Sequence, residues 1–314
     1  MTTSTTPPAG ADKDLQDELT MEDKPARRRK KAANVEKRSR AGWFVRITLL
    51  VVVLLFLIPT FGLFVTSFRS REDATTSSWW GALFNPFSSD WSLAGYREVL
   101  TSQGMGQAFI NSLVVTIPAT LIPLLIAAMA AYAFTFIRFR GRDVVFIIVV
   151  GMLVVPAQVA FIPLLRLFGE FNINGTFLAV WLVHTGFGMP LAVFLLRSYM
   201  STMPASLIES AKIDGASHFQ TFWKLILPMS VPALASFAIF QFLWVWNDLL
   251  MAVIFLSARN EVVTMNLRSL LGTYANRWDL LAPGAFITMA LPLVVFFSLQ
   301  RFFVRGMMAG SVKG

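Results

Sequence analysis

Six stretches of this chain, 47–65, 108–137, 144–165, 176–196, 231–256 and 283–300, are free or nearly free of charged side chains. The hydrocarbon layer of a bilayer is about 30 Å thick and an α-helix rises about 1.5 Å per residue, so ~20 apolar residues reach across. Inside lipid every backbone N–H and C=O must be satisfied by the chain itself, and a helix does this within one segment. The expected fold class is therefore all-α, a polytopic membrane protein with six transmembrane helices. Composition agrees, since 55% of residues are hydrophobic and 14% charged, unlike a soluble domain. There is no cysteine, which excludes disulfides and thiolate metal sites.

Basic residues give the expected orientation, because Lys and Arg are retained on the cytoplasmic side. With the N-terminus inside, the outer loops hold only Arg69, Arg71, Arg97, Arg166, Arg259, Arg268 and Arg277. Arg138, Arg140 and Arg142 crowd the short loop after the second span, a strong vote for an inner loop. Both termini are expected to be cytoplasmic. Residues 1–42 lack apolar periodicity and read as a disordered tail, acidic at first and strongly basic near the membrane. That run fixes topology, and the net charge of +9 is mostly a consequence of this orientation rather than a sign of nucleic-acid binding. The first apolar run is too long for a secretory signal and reads as a retained span. Residues 43–314 form the expected transmembrane domain. In the outer segment 66–107, Trp79, Trp80, Phe84, Phe87, Trp91 and Tyr96 suit the headgroup level.

Between the fourth and fifth spans, residues 203–229 read as a helical elbow too short to cross. Pro204 suits a first helical turn, and Leu207, Ile208 and Ala211 fall on one face. Gly215 can take the left-handed backbone that ends a helix. Ser217 and Gln220 have the spacing of a capping box that starts a second helix, with Phe219, Phe222, Trp223 and Ile226 apolar, and Pro228 is expected to close it.

This stretch resembles the EAA loop of the membrane subunits of binding-protein-dependent ABC importers, whose pattern is Glu-Ala-Ala, three residues, Gly, nine residues, Ile, one residue, Leu-Pro. Glu209, Ala211, Gly215, Leu227 and Pro228 match in register, while Ser210 and Leu225 replace an Ala and the Ile. From Ser92 to Gly314 the chain is similar to carbohydrate permeases of the maltose and α-glucoside type, including the run FLWVWNDLL and the ending RFFVRGMMAGSVKG. Met307 and Met308 depart from that ending's usual pair. The resemblance implies a type I importer permease core in the cytoplasmic membrane of a prokaryote. It also implies a second permease subunit, an ABC ATPase dimer and an extracytoplasmic sugar-binding protein as partners. The elbow would be the coupling helix: Glu209 would meet a basic ATPase residue, Gly215 would bend the chain, and Phe219, Phe222 and Trp223 would fill a cleft on the ATPase, with Ala211, Leu227 and Pro228 completing the motif.

Polar groups within the apolar runs are where a solute path is sought, because lipid penalises them. Gln241, Trp244, Asn247 and Asp248 in the fifth run are the densest set, with Gln241, Trp244 and Asp248 on one helical face. Gln158 and His184 are further candidates. A plainer reading pairs Asp248 with headgroups or an arginine and hydrogen-bonds His184 to a neighbouring helix. Small side chains at Ala127, Ala128, Ala130, Ala131 and Ala133 predict close helix contact. No phosphate loop and no catalytic constellation is present, so the chain is not an enzyme, and ATP and Mg would be held by the partner ATPase. No second histidine lies at ligand spacing, which argues against a metal. The expected function is half of the translocation pathway of an ATP-driven importer of a di- or oligosaccharide, an α-glucoside by the resemblance. The alternatives are a secondary transporter or channel, a docking scaffold, or a permease for glycerol phosphate or polyols.

Overall fold

The computed structural model describes residues 42–309, with side-chain surroundings through residue 300. The basic tail and the C-terminal ending therefore lie outside the described residues, save for helix backbone up to Ala309. Among the described residues the chain is helical, and its β contacts are two isolated bridges, Arg69 with Trp91 and Gly175 with Leu256. It divides into two units, Met1–Gly62 and Leu63–Gly314. The described part of the first is most of helix α1, Gly42–Ser67.

The second unit begins with three short helices, α2 (Arg71–Thr76), α3 (Trp79–Phe84) and α4 (Ala94–Thr101). Ser70 and Ser78 cap the first two, accepting from the amides of Asp73 and Gly81. Arg69 is 2% exposed and braces this segment, its guanidinium donating to the carbonyls of Asp73 at 2.6 Å and Ser77 at 3.1 Å and to the Ser77 hydroxyl. Trp80, Phe84, Phe87 and Trp91 remain exposed, as side chains of a headgroup layer would be.

The bundle is built on α5 (Met105–Phe136) and α8 (Phe177–Met200). Lipid is as apolar as leucine, so these helices gain little from burial as such and depend on close packing. Ala119, Ala127, Ala128 and Ala131 on α5 and Ala179, Val180 and Ala192 on α8 are fully buried at 0% exposure, the close approach that small residues permit. Ala130 and Ala133 are only partly buried. Pro118 and Pro123 lie within α5 without ending it. Two further helices complete the core, α12 (Val231–Trp246) and α15 (Trp278–Ala309). Arg277 donates to Asp279 at 2.6 Å and Glu98 at 3.5 Å, which joins α4 to the start of α15. These carboxylates, Asp279 first, raise the guanidinium's pKa further, so it stays charged at any working pH.

Four helices are long and apolar enough to cross a membrane: Gly42–Ser67, Met105–Phe136, Phe177–Met200 and Trp278–Gln300. The other two expected spans are not continuous. The third is α6 (Arg142–Gly151), a 3-10 turn (Met152–Val154) and α7 (Ala157–Glu170), bent by 101°. Pro156 causes the break: its ring pushes Val155 into an extended conformation (ψ 117°) and Pro156 becomes the residue that starts α7.

The fifth expected span, 231–256, is also interrupted. Its first part, α12, stops at Trp246, and α13 (Leu250–Phe255) follows as a separate helix. Asn247 donates its Nδ2 back to the Leu243 carbonyl at 2.7 Å, while the Asp248 carboxylate accepts from the amides of Met251 at 2.9 Å and Ala252 at 3.2 Å. One side chain thus closes a helix and its neighbour opens the next. Beyond α13, α14 (Val263–Thr273) is tied to α5, where Ser112 accepts from the Val263 amide at 2.9 Å and Asn111 donates to the Glu261 carbonyl at 2.8 Å.

Candidate functional site

The elbow forms as two helices. Helix α9 spans Ala205–Ile213, with Pro204 just outside the first turn as its cap (ψ 134°). At its end the Gly215 amide bonds to the Lys212 carbonyl at 3.0 Å and the Ala216 amide to the Ala211 carbonyl at 2.9 Å. With Gly215 at φ +76°, this is the Schellman closure of a helix. The matched spacing thereby acquires a physical meaning: Ala211 supplies the accepting carbonyl and Gly215 the left-handed turn, which an L side chain resists. Two residues later the capping box is complete, Ser217 Oγ accepting from the Gln220 amide at 3.2 Å and Gln220 Oε1 accepting from the Ser217 amide at 2.9 Å.

The second elbow helix does not end at Pro228. It runs from α10 (His218–Thr221) through a π turn (Phe222–Ile226) into α11 (Leu227–Met229), and bends by 73° into α12. In the wide turn the Leu227 amide bonds to the Phe222 carbonyl, five residues back. That spacing relieves the clash a proline ring makes with the carbonyl four positions before it, so Pro228 is accommodated rather than terminal.

The aromatic side chains divide. Phe222 is 4% exposed and Ile226 0%, and both sit in the protein's own core with Ile208, Tyr132, Phe134, Leu196 and Met200. Phe222 is therefore unavailable to fill a partner's cleft, a correction to the sequence expectation, and Phe219 and Trp223 are the exposed pair at 71% and 41%. Their ring centroids lie 6.0 Å apart. Glu209 is exposed, Leu227 is partly buried against the same core, and Pro228 is exposed. A concavity of about 360 Å³ opens between the two elbow helices, lined by Ala211, Asp214, Gly215, Gln220, Thr221 and Lys224, among others. This end of the bundle offers a carboxylate, two aromatic faces and a hollow on a rigid two-helix frame.

Within the bundle, four of the candidates come together. His184 is 1% exposed, its Nε2 stands 3.8 Å from Asp248 Oδ2, and its ring meets Trp244 edge-on at 5.0 Å. Gln241, also 1% exposed, donates its Nε2 to the carbonyls of Ala119 at 3.1 Å and His184 at 3.4 Å. Gln241 packs where Gly188 leaves room, since a Cβ there would lie 2.6 Å from Nε2. Asp248 lies past the end of α12 and caps α13, so Gln241, Trp244 and Asp248 do not sit on one continuous helix, although all three meet His184. Asn247 is exposed and occupied with closing α12, and Gln158 is exposed on α7. His184 Nδ1 and Gln241 Oε1 are buried with no hydrogen-bond partner.

A cavity of about 10 Å³ lies against this cluster, lined by Ser112, Thr116, His184, Trp246 and Asp248, among others. That is room for about one water molecule. Sequence reasoning missed the bond between Tyr132 and His218 (2.9 Å), for which the sequence carries no local signal because 86 positions separate them. It also missed the Asn-Asp helix break, for which the signal was present, an N-cap residue directly before an apolar run.

Comparison with known proteins places these features in a context. Residues 119–309 match the family described as binding-protein-dependent transport system inner membrane component. The chain is 50% identical to the osmoprotective compounds uptake permease protein of Synechocystis sp. over 86% of this chain and 91% of that protein. It is 39% identical to the alpha-glucoside transport system permease protein of Rhizobium meliloti over 90% of this chain and 100% of that protein. Among solved structures it shares its fold with a chain of a bacterial ABC transporter involved in the import of the acidic polysaccharide alginate, at TM-score 0.67 and 21% identity, over 83% of this chain and 95% of that one.

Proposed function

The chain belongs to the family of binding-protein-dependent transport system inner membrane components, and from that premise we propose that it is the non-enzymatic membrane subunit of an ATP-driven carbohydrate importer. It forms one half of the translocation pathway beside a second permease subunit, receives solute from an extracytoplasmic binding protein, and is driven by a separate ATPase dimer that binds ATP and Mg. The observation that carries coupling is the elbow: Glu209, Phe219 and Trp223 are exposed on helices closed by the Gly215 turn and the Ser217–Gln220 box, and a hollow lined by Ala211, Gly215, Gln220 and Lys224 opens between those helices. The elbow shares a core with Phe134 near the end of α5, next to the loop of Arg138, Arg140 and Arg142, and this clustering of basic residues supports a cytoplasmic position for it.

The substrate class rests on the relatives. The Rhizobium permease is named for alpha-glucosides, which supports an α-glucoside, while the Synechocystis permease, at higher identity, is named for osmoprotective compounds. Both readings are served by one experiment, ATP hydrolysis by the reconstituted complex with the binding protein and, in turn, maltose, trehalose, sucrose and a glucosylated polyol. Stimulation by one of them names the class. Glu209→Lys is expected to abolish uptake while membrane insertion is unchanged, and normal solute-stimulated hydrolysis in that variant would overturn the coupling role.

A further inference from the structure

The elbow is held to the spans by packing and by very few polar contacts. Among the described residues, the one hydrogen bond between a side chain of the elbow and a side chain of a span joins Tyr132 on α5 to His218, the first residue of α10. The Tyr132 hydroxyl and His218 Nδ1 are 2.9 Å apart. On the span side this tyrosine is 4% exposed, and its ring is fixed against Phe136 at 5.4 Å and Phe222 at 5.5 Å. On the elbow side His218 stands next to the capping box, so its backbone is set by the same hydrogen bonds that start α10.

We propose that the Tyr132–His218 hydrogen bond is a positioning link that makes α5 follow the elbow when a partner moves it. The inference rests on the coupling role given to the elbow above. The physical reason is directional. The apolar contacts of Phe222 and Ile226 resist separation of elbow and bundle, but they are non-directional and permit sliding and rotation. A hydrogen bond weakens steeply when its angle or length changes, so it fixes the rotational setting of α10 on α5. Its two ends are also chemically suited: a hydroxyl donates or accepts, and Nδ1 serves either tautomer of the imidazole. Tyr132 and His218 are positioning residues, acting through the elbow rather than touching solute or nucleotide.

The test uses the whole complex with its co-purified ATPase. The chain has no native cysteine, so spin labels at Lys212→Cys on the elbow and Met129→Cys on the exposed face of α5 report their separation before and after trapping with ATP and vanadate. With the link intact, elbow and α5 move together and the distance distribution is unchanged. In Tyr132→Phe, which keeps the buried ring, and in His218→Ala, which alters an exposed position, the distribution shifts by more than its own width on trapping, and solute moved per ATP falls severalfold. His218→Asn, whose Oδ1 can replace Nδ1 as acceptor, restores both. The inference is overturned if the two variants behave as the parent, if the parent distance shifts as much as theirs, or if only thermal stability changes. Failure of any ATPase to co-purify overturns the coupling role and this inference with it; a bound ATPase with unchanged distances overturns this inference alone.

Discussion

Gly215 shows how a single residue can be judged from the sequence and then given its cause. Its place after Ala211 predicts a left-handed helix end, and its φ of +76° together with the paired 211–216 and 212–215 bonds gives that prediction a mechanism. A Cβ at Gly215 meets nothing within 4 Å, so the cost of substitution is conformational alone, about 1–2 kcal/mol for most L-residues and less for Asn. Gly215→Val should therefore lower coupled uptake more than Gly215→Asn, with both variants inserted equally, as read by transport in matched membranes. Gly188 is the opposite case, because its Cβ would press on a buried amide. Gly188→Ala should displace Gln241 from the Ala119 carbonyl and destabilise the bundle by about 1–3 kcal/mol, read as a lower midpoint of thermal unfolding in detergent. Nothing in the sequence marks Gly188, since the side chain it admits lies 53 positions away.

At the scale of elements, long apolar runs were legible as helices because lipid leaves the backbone few other choices, and four of the six appear as continuous helices. The two that break do so at residues whose local chemistry competes with helix propagation. Pro156 removes a donor and constrains Val155, and Asp248 captures the amides of the next helix. Apolarity reports only that a segment belongs in lipid; it carries no record of direction. Asp248→Asn keeps an oxygen for the Met251 and Ala252 amides, so it should insert and fold, whereas Asp248→Leu leaves both unpaired and should lose thermal stability as read in the same detergent assay. Gly95 is a second junction, where a Cβ would collide with the backbone carbonyl of Asp279 at the start of α15. Gly95→Ala should separate α4 from α15 and lower the yield of folded protein, and an unchanged yield would show that the two helices can part freely.

Across the whole molecule, the clusters sort by end. The elbow, the end of α5 and the end of α8 share one core, while His184 and Asp248 lie near a second core formed with α13 and the residues before α14. The charge asymmetry anticipates the first of these, but the second needs the chain to be folded, since Ser112, His184, Asp248 and Val262 come from four separate segments. A membrane-impermeant thiol reagent applied to single-cysteine variants should label Lys212→Cys only from the cytoplasmic side and Thr101→Cys only from the outside; the reverse pattern would invert the orientation read from the arginines.

The one-water cavity beside His184 and Asp248 bears on binding as a matter of populations. Small-molecule pockets run to about 300–1,000 Å³, so a solute that used these groups would bind a conformation other than the one described. If that open form made up about 1% of molecules, apparent affinity would fall about 100-fold below its intrinsic value. A partner that raises the open fraction would then strengthen solute binding without touching the solute at all.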